Sequence, residues 1–183
     1  MKNIYKLSAV LFVSLSIIVS SCKKEEDELI VEGCTESSAM NYLSNATSND
    51  GSCIFAYDIA QGIWNITPDC EEYTIPVIGT TISLNDELPE TIDVLGAGDN
   101  LLYIEIGETQ VNGTIDNSGN IKVQNQAISL DMGFGPMDID IEGDGLINTS
   151  TTGTMNLTYS FEIEAIPGFP IAESLDCSLT LDK

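Results

Sequence analysis

From Gly62 onward, apolar and polar residues alternate in short runs, and Gly, Asn, Asp and Pro stand between the runs. Side chains of an extended strand point to opposite faces in turn, so a period of two gives each strand one apolar face to bury. The 3.6-residue period of an amphipathic helix nearly disappears here, and the chain reads as all-β. The runs predict strands over 62–67, 73–77, 80–84, 91–95, 101–106, 109–116, 120–130, 137–147, 153–164 and 174–181. Asp116-Asn117-Ser118-Gly119-Asn120 lies between two such runs and reads as a hairpin turn, because Asn and Gly accept the positive φ of tight turns. Gly98-Asp99-Asn100 and Thr152-Gly153 give weaker turn signals. The segments 130–137, with Gly133-Phe134-Gly135-Pro136, and 165–171, with Pro167-Gly168-Phe169-Pro170, read as loops that each carry an apolar ring. About eight strands joined by hairpins form an antiparallel meander that can close into a barrel, burying one face and leaving no exposed edge. A two-sheet β-sandwich is the alternative.

The first residues follow a different logic. Lys2 and Lys6 precede an apolar or small stretch over 7–19, which ends in Val19-Ser20-Ser21-Cys22. That stretch is shorter than the roughly 20 residues a membrane-spanning helix needs. A charged start, an apolar run and small residues before a cysteine resemble the lipobox of bacterial lipoproteins. The resemblance implies a signal peptide over 1–21, cleavage before Cys22 and a lipid, palmitate included, on the Cys22 chain start. Lys23-Lys24-Glu25-Glu26-Asp27-Glu28 follows, and 22–32 reads as a charged, solvated tether. Cys-Lys-Lys followed by acids is similar to the export signal of Bacteroidota-type lipoproteins. That likeness implies an outer-membrane, lipid-anchored, cell-surface-exposed protein whose first partner is the membrane.

All 29 acidic residues lie after Cys22, against Lys23, Lys24, Lys122 and Lys183, and the chain has no His and no Arg. Nucleic acid is excluded as a partner, since nothing is present to displace counterions from phosphates. Without His there is no ordinary general base near neutral pH, and without Arg or a basic cluster there is no anion clamp. The chain is therefore expected not to be an enzyme, and no cofactor is expected apart from calcium.

If Cys22 carries lipid, Cys34, Cys53, Cys70 and Cys177 remain, an even number that reads as two disulfides in an oxidising compartment. Three pairings are possible. Cys34–Cys53 with Cys70–Cys177 is the expected one, because the first pair brackets a compact polar loop and the second sits at the two ends of the β-rich region. Loop-closure entropy gives them about 3 and 4.7 kcal/mol respectively. Zinc would need Cys-x-x-Cys or His, and neither is present.

Residues 33–55 hold Gly33-Cys34-Thr35-Glu36, Ala39, Asn41-Tyr42, Ala46 and Asn49-Asp50-Gly51-Ser52-Cys53. They resemble a short repeat of secreted and surface Bacteroidota proteins, with Glu36 and Asn49 standing where the repeat usually has Asp. Glu36, Asn41, Asn49 and Asp50 offer hard oxygens of the kind that hold calcium, although without the spacing of an EF-hand loop. A spacer or cap between tether and domain is the plainer reading. Asp138, Asp140, Glu142 and Asp144 imitate the start of such a loop, but the twelfth position is Thr149. Ile139 and Ile141 make the segment a strand with one acidic face in water.

Gly62-Ile63-Trp64 resembles the Gly-x-Trp opening of lipocalin-like barrels. The resemblance covers 62–183 of the domain expected over 56–183 and implies a tryptophan that plugs the barrel floor, with no Arg here to stack on it. It also implies a small hydrophobic or amphipathic ligand inside the barrel. The other reading is a structural or adhesive surface protein whose barrel is filled by its own side chains and whose outer face meets a partner. An accessible cavity would discriminate the two.

Overall fold

The computed structural model describes residues 29–183 except 77, 107–108, 132–134 and 167; the expected signal peptide, Cys22 and most of the tether lie outside the described residues. The chain enters a compact unit, Val31–Lys183. Within it, β1 (Glu32–Gly33) and β2 (Ser48–Asn49) form a short parallel pair, so the last tether residue, Glu32, already belongs to a strand. The helix α1 (Ala56–Ala60) follows, then β3 (Gly62–Cys70), β4 (Glu72–Thr74), β5 (Thr81–Ser83), β6 (Thr91–Gly98) and β7 (Leu101–Ile106). The chain ends through β8 (Thr109–Ile115), β9 (Asn120–Asp131), β10 (Pro136–Ile147), β11 (Thr152–Ile166) and β12 (Phe169–Asp182).

The protein is mostly β. Eight strands pair in the order β10-β11-β12-β3-β6-β7-β8-β9, and β9 pairs back onto β10, so the antiparallel pairings form one closed ring. Alternation sorts the side chains. In β10, Ile139, Ile141 and Ile147 are buried while Asp138, Asp140 and Glu142 are exposed, so the EF-hand-like acids form the outer face of a strand. Each aliphatic side chain buried this way stabilises the fold by about 1.5–3 kcal/mol.

Turn chemistry closes the hairpins. Asp99 and Asn100 have φ of 49° and 63°, the left-handed pair that a two-residue turn between β6 and β7 requires. At the β8–β9 turn, Asp116 Oδ1 accepts the N–H groups of Ser118 and Asn120 at 2.8 and 2.9 Å. The expected loops at 130–137 and 165–171 are shorter than the sequence suggests. Pairing continues through Ile163↔Ile171 to Ile166↔Phe169 and from Met137↔Leu130 to Pro136↔Asp131. Proline needs no N–H partner when it begins a strand, so Pro136 does not halt the ladder. The four strands β9–β12 therefore run 12 to 15 residues and build a wall taller than β6–β8, at 6 to 8.

Candidate functional site

One end of the ring is closed by Trp64. Its side chain has no exposed surface, and its Nε1 donates to the Ala60 carbonyl at 2.7 Å. That carbonyl ends α1, which has no intrahelical donor left for it. Lys183 lies over the indole ring of Trp64. Its Nζ donates to the carbonyls of Ile59 and Gln61 at 2.7 Å each and stands 4.4 Å from the centroid of the Trp64 ring. A cation at a helix C-terminus and over an indole face is favoured twice, by the helix carbonyls and by the ring quadrupole. Gly62 has a φ of 109°, and a Cβ added there would lie 3.7 Å from Lys183 Nζ, so its lack of a side chain serves backbone conformation more than packing.

The opposite end is covered by the chain between β3 and β6. β4 and β5 form a separate two-stranded sheet, and the segment around them sends Ile75, Ile82, Leu84 and Leu88 into the same core as Trp64. Asn85 holds the segment by accepting from the Cys70 N–H at 2.8 Å and donating to the Cys70 carbonyl at 3.2 Å, in the manner of a neighbouring strand. Tyr73 reaches Glu173, and burial followed by that carboxylate pushes the phenol above its ordinary pKa. Buried side chains from Trp64 to Ile75, Ile82, Leu84 and Leu88 thus form one core cluster. Among the described residues, one buried side-chain polar atom lacks a partner: Tyr159 is fully buried and its hydroxyl makes no hydrogen bond. Burial alone raises its pKa strongly.

Cys70 and Cys177 face each other across β3 and β12 and are joined, and Cys34 is joined to Cys53. The first bond ties the opening strand of the ring to its last. The second closes the small module, whose Met40 packs against the ring core beside Gly119. In that module, Asn41 donates to Ser52 O at 2.6 Å and accepts from Ile54 N–H at 2.8 Å. Asn49 and Asp50 accept from the N–H groups of Gly51 and Ser52, each at 2.9 Å. The Ser52 hydrogen bonds hold the Asp50 carboxyl below the usual carboxylate range. Three of the four oxygen-bearing residues expected to attract calcium thus shape the loop's own turns; Glu36 is exposed. Among the described residues no group of three or more His, Cys, Asp or Glu side chains is arranged to hold a metal.

Two grooves lie on the outside and at the rim of the ring. One of about 590 Å³ crosses β9–β12 on their outer face, between Asp138, Asp140 and Glu162 and the small side chains of Ala127, Ser160 and Ala172. Another, of about 460 Å³, sits at the covered end between Glu87, Ile106, Thr109, Ser129 and Leu130. Sequence reasoning missed Lys183, Asn85 and Tyr159. Lys183 and Asn85 act through partners elsewhere in the chain and Tyr159 stands out by lacking one, so no local pattern marks them.

No family model and no curated protein matches this chain. A solved structure described as EF1p2_mFAP2b bound to DFHBI is similar over 70% of this chain and 96% of that chain, with 13% identity and a TM-score of 0.44.

Proposed function

We propose that the chain is a non-catalytic, lipid-anchored surface protein of the outer membrane, whose lipocalin-like barrel has a filled interior and meets its partner through the outer wall. The observation that carries this reading is the continuous core. Trp64, Leu102, Ile141 and Tyr159 fill the ring, and Ile75, Ile82, Leu84 and Leu88 cover it, so a bound molecule would have to displace the protein's own side chains. The lipobox-like Val19-Ser20-Ser21-Cys22 and the acidic tether support the anchored location. The exposed acids of β10 keep such a surface soluble and selective by charge.

Titration with a neutral apolar dye such as Nile red tests the reading. A filled interior gives no saturable binding. A second reading, an internal small ligand, is favoured by Tyr159 alone, because buried hydroxyls seldom lack a partner. It predicts one-to-one dye binding that Tyr159→Phe alters, and that outcome would overturn the first reading.

A further inference from the structure

Several ladders of the ring stop short, β10–β11 at Asp140↔Ser160 and β3–β6 at Asn65↔Thr91, and the shortest joins β8 to β9 along one seam. β8 and β9 pair only from Gly113↔Val123 to Ile115↔Ile121. Above that, 109–112 stay paired with β7 and 126–131 with β10, but no ladder joins the two banks. The N–H and C=O of alternate strand residues face the same neighbour. Asn112 turns its backbone pair toward β9, so Gln110 does too. On the other bank Ser129 accepts the Thr109 hydroxyl at 2.7 Å, which places the backbone pair of Ala127 on the seam side as well.

A side chain spans the gap. Gln126 Oε1 accepts from the Asn112 N–H at 2.9 Å, and its Nε2 donates to the Asn112 carbonyl at 2.8 Å. A primary amide making both bonds to one residue imitates the peptide group of a neighbouring strand. A cavity of about 160 Å³ lies at the foot of the seam beside Asn112, Thr114, Lys122 and Gln124, and the rim cavity of about 460 Å³ lies at its head. Admitting a strand means parting the banks to about twice the usual 4.8 Å spacing. Among the described residues, Gln126 and Thr109 cross the upper seam through side-chain bonds, so the parting leaves the flanking ladders whole. Charge sets the kind of strand. The cross-strand neighbour of Gln110 is Glu105, and that of Ala127 is Asp140, both exposed, on a chain of net charge −23.

We propose that the β8–β9 seam docks an extended basic peptide segment, which adds as a strand and takes over from Gln126. Its backbone bonds Gln110, Asn112 and Ala127, and its outward Lys or Arg side chains lie beside Glu105 and Asp140. This deepens the outer-wall reading, on which it rests, by naming the partner's chemistry.

The test uses the full chain with three probes: acetyl-(Lys-Val)₃-amide, its Glu-Val counterpart, and the Lys-Val peptide N-methylated at alternate residues. The Lys-Val peptide should bind and slow hydrogen exchange at Gln110 and Ala127 by tenfold or more. The Glu-Val peptide should bind at least tenfold more weakly, and the N-methylated one should give no protection. Gln126→Ala should raise affinity several-fold by removing the competing amide. Glu105→Gln with Asp140→Asn should lower it several-fold more than neutralising the distant Asp58 by Asn. Equal binding of the N-methylated peptide, protection spread over other strands, an unmoved affinity in Gln126→Ala, or no binding at all overturns the proposal. Failed peptide docking with apolar dye still excluded sinks this proposal alone, whereas saturable dye uptake sinks the filled-interior reading alone.

Discussion

Replacing Trp64 by Ala removes the floor of the ring, and the structure sets the size of the effect. The side chain is fully buried, donates to Ala60 and lies under Lys183. Truncating a buried aromatic costs about 3–5 kcal/mol from lost transfer energy and the cavity left behind. Against a usual total of about 5–15 kcal/mol, that is a large share. With a urea slope of about 1–3 kcal/mol per molar, the midpoint should fall by more than about 1 M at unchanged slope, read by far-ultraviolet circular dichroism because the fluorescent probe is gone. Trp64→Phe keeps most of the volume but leaves the Ala60 carbonyl without its donor, a loss of about 1–3 kcal/mol. Combining Trp64→Ala with Lys183→Met should show a coupling of about 0.5–2 kcal/mol, the range for a cation over an aromatic ring. In the unaltered protein the fluorescence should be blue-shifted and poorly quenched by acrylamide. A Trp64→Ala midpoint within error of the parent would refute the reasoning, since no floor of the ring could then rest on this residue.

Four further outcomes are expected. Replacing Cys70 and Cys177 by Ser frees a separation of 107 residues and should cost about 2–5 kcal/mol in thermal or chemical unfolding, far more than losing Cys34–Cys53 costs the ring. Gly143→Ala places a Cβ against the Asn156 carbonyl at the β9–β10 irregularity and should destabilise by about 1–3 kcal/mol, with the shift in NMR spectra centred on β10 and β11. The Asn120 side chain, with the N–H groups of Asn120 and Ser118, holds the Asp116 carboxyl below its ordinary value. Its stabilising contribution is therefore complete above the unfolded carboxylate pKa and disappears as pH falls through the lowered folded one, which a pH titration of the Asn120 amide resonance should follow and Asp116→Asn should abolish. Cys22→Ser should move the protein from the membrane fraction to the soluble one, and attachment at the parent level would count against the lipid anchor.

Strand positions were legible because alternation is local. Every run from 91 to 147 recurs as a strand, its ends agreeing within a residue except that β6 runs on to Gly98, since Ile139 and Ile141 must turn inward wherever Asp138 and Asp140 turn out. The turns at Asp99-Asn100 and Asp116–Asn120 were equally local, being set by residues that accept positive φ or bond their own backbone. Longer-range features were not. The cover formed by β4 and β5 looks like two more strands of the meander, because Ile75 and Ile82 alternate as wall residues do while pairing with none of the ring. Lys183 could be recognised as the partner of Trp64 only once β12 and β3 were side by side. The Gln126 bridge was hidden because a glutamine in a strand carries no sign of which backbone it will meet.

The central claim is that the ring is filled by its own side chains, and xenon tests it most directly. Xenon enters dry apolar cavities and leaves packed cores empty. Crystals of the protein pressurised with xenon should show no site inside the ring, around Tyr159 or between Trp64 and Leu84. A well-occupied xenon site among those residues would contradict the account and make the interior a binding chamber.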